Sequence, residues 1–436
     1  MAERRPLSRR KFLESAAIGT GAIALGRHAA LAEEIAGLGR RRAEREGGPA
    51  RSIDHVVVVM MENRSFDHIL GWLPGADGRQ AGLTYVDRAG IAHPTHPLAP
   101  DYQGCAHPDP DHSYSGGRVA YDNGACDGWL RAGDNDEYAI GYYEAADVPF
   151  YARAATDWTT CDRYFAAMMG PTFPNRIYQH AAQTDRIRNT FEPSTLPTIW
   201  DRLADAGLTG LYYFQDAPFL ALWGAKYVPI ARPYREFLLA AATGRLPNVA
   251  FVDPRFIEEL TGTTSDDHPH ADIRNGQAFL NQVYTAVTTS PAWLRTLLVI
   301  NYDEWGGFFE HVPPDTASIS AATRAAGDQD GRRGFRVPCL IISPVARRAF
   351  VAHDVFDHTS VLRFIEWRWG LDPLTERDAT ANNIADVLDF TRRNPRAPQY
   401  AVPPGPFGTP CPSSEANPFV ILRDIAAGLG FQIPTS

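Results

Sequence analysis

Lysine is nearly absent from this chain: Lys11 and Lys226 are the only two among 42 cationic residues, the rest being arginine. Acids outnumber cations, with 51 Asp and Glu, so the 436 residues carry a formal charge of −9. That balance gives no basic footprint for nucleic acid. A composition of 44% hydrophobic and 21% charged residues excludes a disordered tail protein, a collagen-like repeat and a multi-pass membrane protein. Cysteine is scarce too. The five, Cys105, Cys126, Cys161, Cys339 and Cys411, contain no Cys-x-x-Cys pair, which removes the usual signature of structural zinc or dithiol redox chemistry. The sequence contains no internal repeat.

What is present begins at the N-terminus. Ser8-Arg9-Arg10-Lys11-Phe12-Leu13 precedes an apolar, small-residue run from Ala16 to Gly26, and Ala30-Leu31-Ala32 resembles a cleavage site. A basic segment, a modest apolar segment and a small-residue site describe an export signal, too short to span a membrane. The paired arginines mark it as a twin-arginine signal, so residues 1–32 are expected to engage the twin-arginine export machinery and be removed. The product is then secreted, periplasmic or cell-wall associated. Cleavage leaves 36 cations and 49 anions, a charge of −13. That charge opposes adhesion to DNA or anionic lipid, and no stable membrane insertion is expected. Residues 33–50 read as a solvated linker and 426–436 as a C-terminal tail. An odd number of cysteines allows at most two internal bridges, and Cys105 with Cys126, flanking a loop-like stretch, is the expected pair.

Between linker and tail, residues 51–425 read as one catalytic domain. Ile53–Met61 is a continuous β-branched run, the pattern of a strand buried on both faces. Similar runs occur at Gly210–Phe214, Val249–Val252, Leu297–Tyr302 and Val337–Ser343, separated by helical patterns at Pro197–Ala206, Asp272–Thr288 and Asp357–Trp369. The alternation predicts a three-layer α/β/α sandwich around a mostly parallel sheet. Residues 74–145, rich in Gly, Pro, Asp and His, are expected to form a long excursion over the strand C-terminal edge. Residues 313–335 are expected to form a mobile loop.

Two strands run straight into metal-type ligands. The first ends in Glu62-Asn63 and the Leu297 strand in Asp303-Glu304, each followed by a glycine-containing turn. Ligands in open α/β sheets bind beyond the strand carboxyl ends. Three carboxylates and an amide oxygen meeting there would form a hard oxygen site for one divalent cation, with Ca, Mg, Mn and Zn all compatible. The same acids could instead cap helices or pair with arginines. Next, Pro174 in Gly170-Pro171-Thr172-Phe173-Pro174-Asn175-Arg176 suits a first helical position, leaving Thr172 just outside the helix N-terminus. An anion is favoured there, and a hydroxyl beside a cation becomes a usable nucleophile. The plainer alternative is that Thr172 only caps the helix.

Four ordered stretches carry a family resemblance: Asp54–Asp67 (DHVVVVMMENRSFD), Cys161–Tyr178 (CDRYFAAMMGPTFPNRIY), Asn301–Val312 (NYDEWGGFFEHV) and Asp357–Glu366 (DHTSVLRFIE). They resemble the bacterial phosphoesterase family that contains phospholipases C and acid phosphatases, over about residues 53 to 390. The resemblance implies an alkaline-phosphatase-like fold with one metal held by Glu62, Asn63, Thr172, Asp303 and Glu304. It implies a phospho-threonine at Thr172 that water then hydrolyses. Thr172-x-Pro174-x-Arg176 also has the shape of the sulfatase Cys/Ser-x-Pro-x-Arg motif, but threonine replaces the oxidisable residue, which favours phosphoryl over sulfuryl transfer.

Histidines are needed to protonate a leaving alkoxide and to hold phosphoryl oxygens. His112 and His268 match family positions near the phosphate, with His270 the alternative to His268 if the register differs by two. His358 is a further candidate, and His311 could simply pack. The Trp129–Tyr151 aromatics could cage a choline group or only pack under the loop. The sequence thus reads as an exported metal-dependent phosphoesterase, with phospholipase C action on a phospholipid preferred. Acid phosphatase action on a small soluble phosphomonoester is the alternative, and a non-catalytic phosphate-binding exported protein the remote one.

Overall fold

The four valines of the first run, Val56 to Val59, are at most 1% exposed, and they build the middle of the sheet. Each fully buried side chain of this size contributes about 1.5–3 kcal/mol. The computed structural model describes residues 52–257, 264–411 and 418–434. The expected signal peptide and linker lie outside the described residues. The main strands are β1 (His55–Met61), β2 (Thr159–Cys161), β3 (Gly210–Phe214), β4 (Ala231–Pro233), β5 (Val249–Val252), β6 (Thr296–Tyr302), β7 (Leu340–Ile342) and β8 (Phe350–Ala352). Their order across the sheet is β8-β2-β7-β6-β1-β5-β3-β4. Pairing is parallel except for β7, which runs antiparallel to both neighbours. The expected mostly parallel α/β architecture is therefore observed.

Helices cover both faces. The relevant ones are α1 (Phe66–Leu70), α2 (Tyr114–Tyr121), α3 (Pro149–Asp157), α4 (Thr172–Ala181), α5 (Ile199–Asp205), α6 (Tyr234–Ala242), α7 (Ile273–Thr288), α8 (His358–Trp369) and α9 (Pro418–Leu429). Successive residues of a strand point to opposite faces. Tyr212 of β3 meets His180 of α4 on one side, and Tyr213 meets Phe237 of α6 on the other. α5 starts with a reciprocal capping box between Thr198 and Asp201, and α7 with an Asp272 cap on the Arg274 N–H.

One expectation changes here. Cys105 pairs with Cys411, not Cys126, with Cα atoms 5.3 Å apart, while Cys126 is free and buried. The bridge joins the excursion to a distant C-terminal segment, a proximity that chain spacing cannot reveal. The helix α9 spans Pro418–Leu429, across residue 425. Of the two readings of the Trp129–Tyr151 aromatics, packing is the one observed: Trp129, Tyr138, Tyr143, Phe150 and Tyr151 are each fully buried. Among the described residues, no helix is long and apolar enough to cross a membrane.

Candidate active site

Parallel pairing of β1 with β6 puts Met61 opposite Tyr302, so the next residues along, Glu62 and Asp303, emerge side by side at the carboxyl edge. The Asp303 N–H donates to the Met61 carbonyl at 3.1 Å, and the Asn63 N–H donates to Asp303 Oδ1 at 3.0 Å. Asn63 adopts the left-handed conformation with φ 59°, which asparagine tolerates better than most residues. Gly306 is required opposite it. At φ 63°, a Cβ there would lie 2.0 Å from the Asn63 carbonyl oxygen.

Thr172 reaches the same point from α4. Its hydroxyl donates to Asn63 Oδ1 at 3.4 Å. Thr172 is the first residue of the helix rather than the residue before it, and it makes no capping bond; Pro171 takes the cap position. Pro174 therefore sits one turn in, among N–H groups that lack intrahelical partners. The Phe173 N–H is instead met by Asn189 Oδ1 at 2.8 Å.

Arg176, one turn along α4, holds this helix to the strand ends. Its Nε donates to Glu62 Oε1 at 2.8 Å, one terminal nitrogen donates to Asp253 Oδ1 at 3.2 Å, and the other to the Met60 carbonyl at 3.1 Å. Nε lies 3.9 Å from Asp303 Oδ2. The sequence alone gave Arg176 and Asp253 no role. Both were legible: Arg176 stands four residues after Thr172 on one helix face, and Asp253 comes after β5 just as Glu62 comes after β1.

These acids are of the donor type that suits a hard cation. Asp303 Oδ2 and Glu304 Oε1 are buried and accept no hydrogen bond among the described residues. Burial pushes the Asp303 carboxyl up and the Glu304 carboxyl well up, the response of desolvated acids with too little positive charge nearby. Oxygens of Glu62, Asn63, Thr172, Asp303 and Glu304 make a hard donor set.

His112, delivered by the 74–145 excursion, borders this group. Its Nε2 is 3.5 Å from Asn63 Nδ2 and 3.9 Å from Glu304 Oε1. Burial opposes its cation, but the Glu304 and Asp109 carboxylates push it up to about 9. His268 stands beside it, with ring centroids 6.3 Å apart. There burial prevails and pulls His268 down to about 4. Asp109 bridges the two, 3.5 Å from His268 Nε2 and 4.0 Å from His112 Nδ1. Sequence reasoning passed over Asp109, although it lies only three residues before His112. His270 instead takes a left-handed backbone and places its Nε2 2.9 Å from the His107 carbonyl.

The remaining histidines sit elsewhere. His358 is fully buried at the start of α8, its Nε2 2.9 Å from the Tyr302 carbonyl, under the strand end that carries Asp303. His311 joins a separate buried cluster. It pairs with Asp67 and, through Nε2, with Asp77 at 3.1 Å, while Arg336 spans Glu310 and Asp67 at 2.6 and 3.2 Å.

Residues 53–372 match the Phosphoesterase family. Phospholipase C B of Mycobacterium tuberculosis (strain ATCC 25618 / H37Rv) is 30% identical, the match covering 91% of this chain and 88% of that protein. Non-specific phospholipase C6 of Arabidopsis thaliana is also 30% identical, over 77% of this chain and 72% of its own. Among solved structures, a protein in the alkaline phosphatase superfamily from Vibrio parahaemolyticus overlays with a TM-score of 0.37 at 9% identity, covering 77% of this chain and 70% of that one. The match spans every strand-end acid, Thr172 and both clustered histidines, so the chain belongs to the Phosphoesterase family and is a phosphoric ester hydrolase.

Proposed function

We propose that the protein is an exported, divalent-metal-dependent phospholipase C with Thr172 as its nucleophile. The observation that carries the reading is the Thr172 hydroxyl on Asn63 Oδ1, at the sheet edge that also carries Glu62, Asp303 and Glu304. Relatives named phospholipase C supply the substrate class. The twin-arginine pattern at Arg9-Arg10 supports export.

Glu62, Asn63, Asp303 and Glu304 would hold the ion, with Thr172 Oγ1 beside it. When bound, such an ion supplies Lewis-acid stabilisation of an alkoxide and of phosphoryl charge. Thr172 Oγ1 gives its proton to bulk water and attacks phosphorus, and the phosphorus–oxygen bond to diacylglycerol breaks. The leaving alkoxide takes a proton from a histidine. Water then attacks phosphorus, one of its protons returning to that histidine and the other to Thr172 Oγ1, which releases the phosphorylated head group and restores the hydroxyl. His112 and His268 would contact phosphoryl oxygens; the Pro110 and Pro269 carbonyls lie 2.7 and 2.8 Å from their Nδ1 atoms, and Asp109 stands beside both rings. His358 acts as a positioning residue on the Tyr302–Asp303 backbone.

The test compares hydrolysis of a short-chain phosphatidylglycerol with that of p-nitrophenyl phosphate by the purified protein. Higher kcat/KM on the diester is expected. Higher kcat/KM on the monoester would make the protein an acid phosphatase.

A further inference from the structure

We propose that a cavity beside Thr172 is the head-group subsite, and that Arg188 makes it favour hydroxylated, uncharged or anionic head groups over quaternary ammonium ones. The inference rests on the phospholipase reading above.

The cavity has a volume of about 420 Å³ and is walled by residues adjoining the reacting groups. Pro171 immediately precedes Thr172, and Ser113 is the residue after His112. Asn189, also in the wall, is bonded to the second residue of the Thr172 helix. A substituent on phosphorus held between Thr172 and His112 therefore has this space as its neighbour.

The lining decides the chemistry. Ser113 and Asn189 offer hydroxyl and amide groups, Arg188 offers a guanidinium, and none of the lining residues is acidic. Arg188 is exposed and makes no hydrogen bond or ion pair among the described residues. Its neighbour Arg186 is fully engaged, donating to the Thr190 and Glu192 carbonyls at 2.6 and 2.8 Å. Arg188 alone is left to meet a ligand there. Its five donors suit vicinal hydroxyls, a carboxylate or a phosphate.

A choline group would find the opposite of what it needs. Its recognition requires open aromatic faces or acids. Tyr114 is the only aromatic ring in the wall, and the Arg118 guanidinium already lies 3.4 Å from its centroid. The aromatics of the 127–151 segment are buried away from any opening.

Dihexanoyl phosphatidylglycerol and dihexanoyl phosphatidylcholine, each below its micelle concentration, remove any contribution from a lipid surface. Wild type, Arg188→Ala and Arg188→Glu are compared on both, with p-nitrophenyl phosphate as a reference. Wild type should favour the glycerol ester in kcat/KM. Arg188→Glu should lower the glycerol-to-choline ratio by about tenfold, chiefly through KM, as expected for reversing a charge near the ligand. An equal ratio in wild type and Arg188→Glu overturns the subsite, and a wild-type preference for the choline ester overturns its selectivity. Absence of both lipid activities in wild type overturns the phospholipase reading itself, and the subsite with it.

Discussion

Arg176 donates its Nε to Glu62 Oε1 at 2.8 Å, and this buried pair ties the helix that begins with Thr172 to the strand that ends at Glu62-Asn63. The pair does more than neutralise charge. It fixes the Thr172 helix in register with the acids, through a guanidinium that also reaches Asp253 and the Met60 carbonyl.

Removing that tether should uncouple site and fold in measurable steps. Arg176→Leu leaves buried carboxylates without their partner and should lose about 3–5 kcal/mol in urea unfolding. Arg176→Lys keeps the charge but not the planar fork, so it should unfold less readily than Arg176→Leu. Its turnover should still fall about 100-fold, because a displacement of about 1 Å is enough for such a loss. Wild-type turnover in Arg176→Lys would show that the tether does not position Thr172.

Gly306 gives a sharper test of the same geometry. Gly306→Ala forces a side chain into a left-handed position and to within 2.0 Å of the Asn63 carbonyl oxygen. The backbone must shift where Asn63 presents its amide. A stability loss of at least about 1–2 kcal/mol is expected, together with weaker metal retention in equilibrium dialysis. Unchanged metal retention would mean that Asn63 is not a ligand.

Much of this site was legible from strand ends. Ile53–Met61 and Leu297–Tyr302 predict buried parallel strands, and each runs directly into an acid with a second possible ligand beside it. Parallel pairing then makes neighbours of Glu62 and Asp303 without any knowledge of the loops. Thr172 was legible by motif, but its place one residue inside the helix was not, because proline is tolerated throughout a first turn. The Cys105–Cys411 bridge and the Asp109 bridge between His112 and His268 depend on how the 74–145 excursion folds back, and long irregular segments carry no periodicity to read. Burial of Trp129 and Tyr143 was one of two open readings, since aromatics suit a core and a cage equally well.

Chelation tests the cation directly. If Asp303, Glu304 and their neighbours hold a metal, a chelator should abolish turnover, and a divalent ion should restore it. Native-state binding should also raise stability, by about 2.7 kcal/mol when free metal exceeds its dissociation constant a hundredfold. Turnover and melting temperature that both ignore the chelator would contradict metal dependence.

Glu366 of α8 provides a pH-dependent stability test away from the site. Burial, with the Asp378 carboxyl beside it, pushes Glu366 up to about 10 from an ordinary 4.5. The folded protein therefore keeps this group neutral where the unfolded chain ionises it. Stability from this source is complete below about pH 4.5 and declines as pH rises toward 10. Glu366→Gln removes the penalty. Urea unfolding should find the variant equal to wild type at pH 4 and more stable at pH 8, by at least about 1–2 kcal/mol. Equal stability at both pH values would mean that Glu366 ionises freely in the fold.

The most direct measurement of the central claim is an acid quench during turnover, with peptide mapping for bound phosphorus. The account predicts a phosphoryl adduct on Thr172 in wild type. It predicts none in Thr172→Ala, whose turnover should fall by at least about 10⁴-fold while its unfolding curve stays that of wild type. Full activity in Thr172→Ala, or an adduct on any other residue, would contradict it.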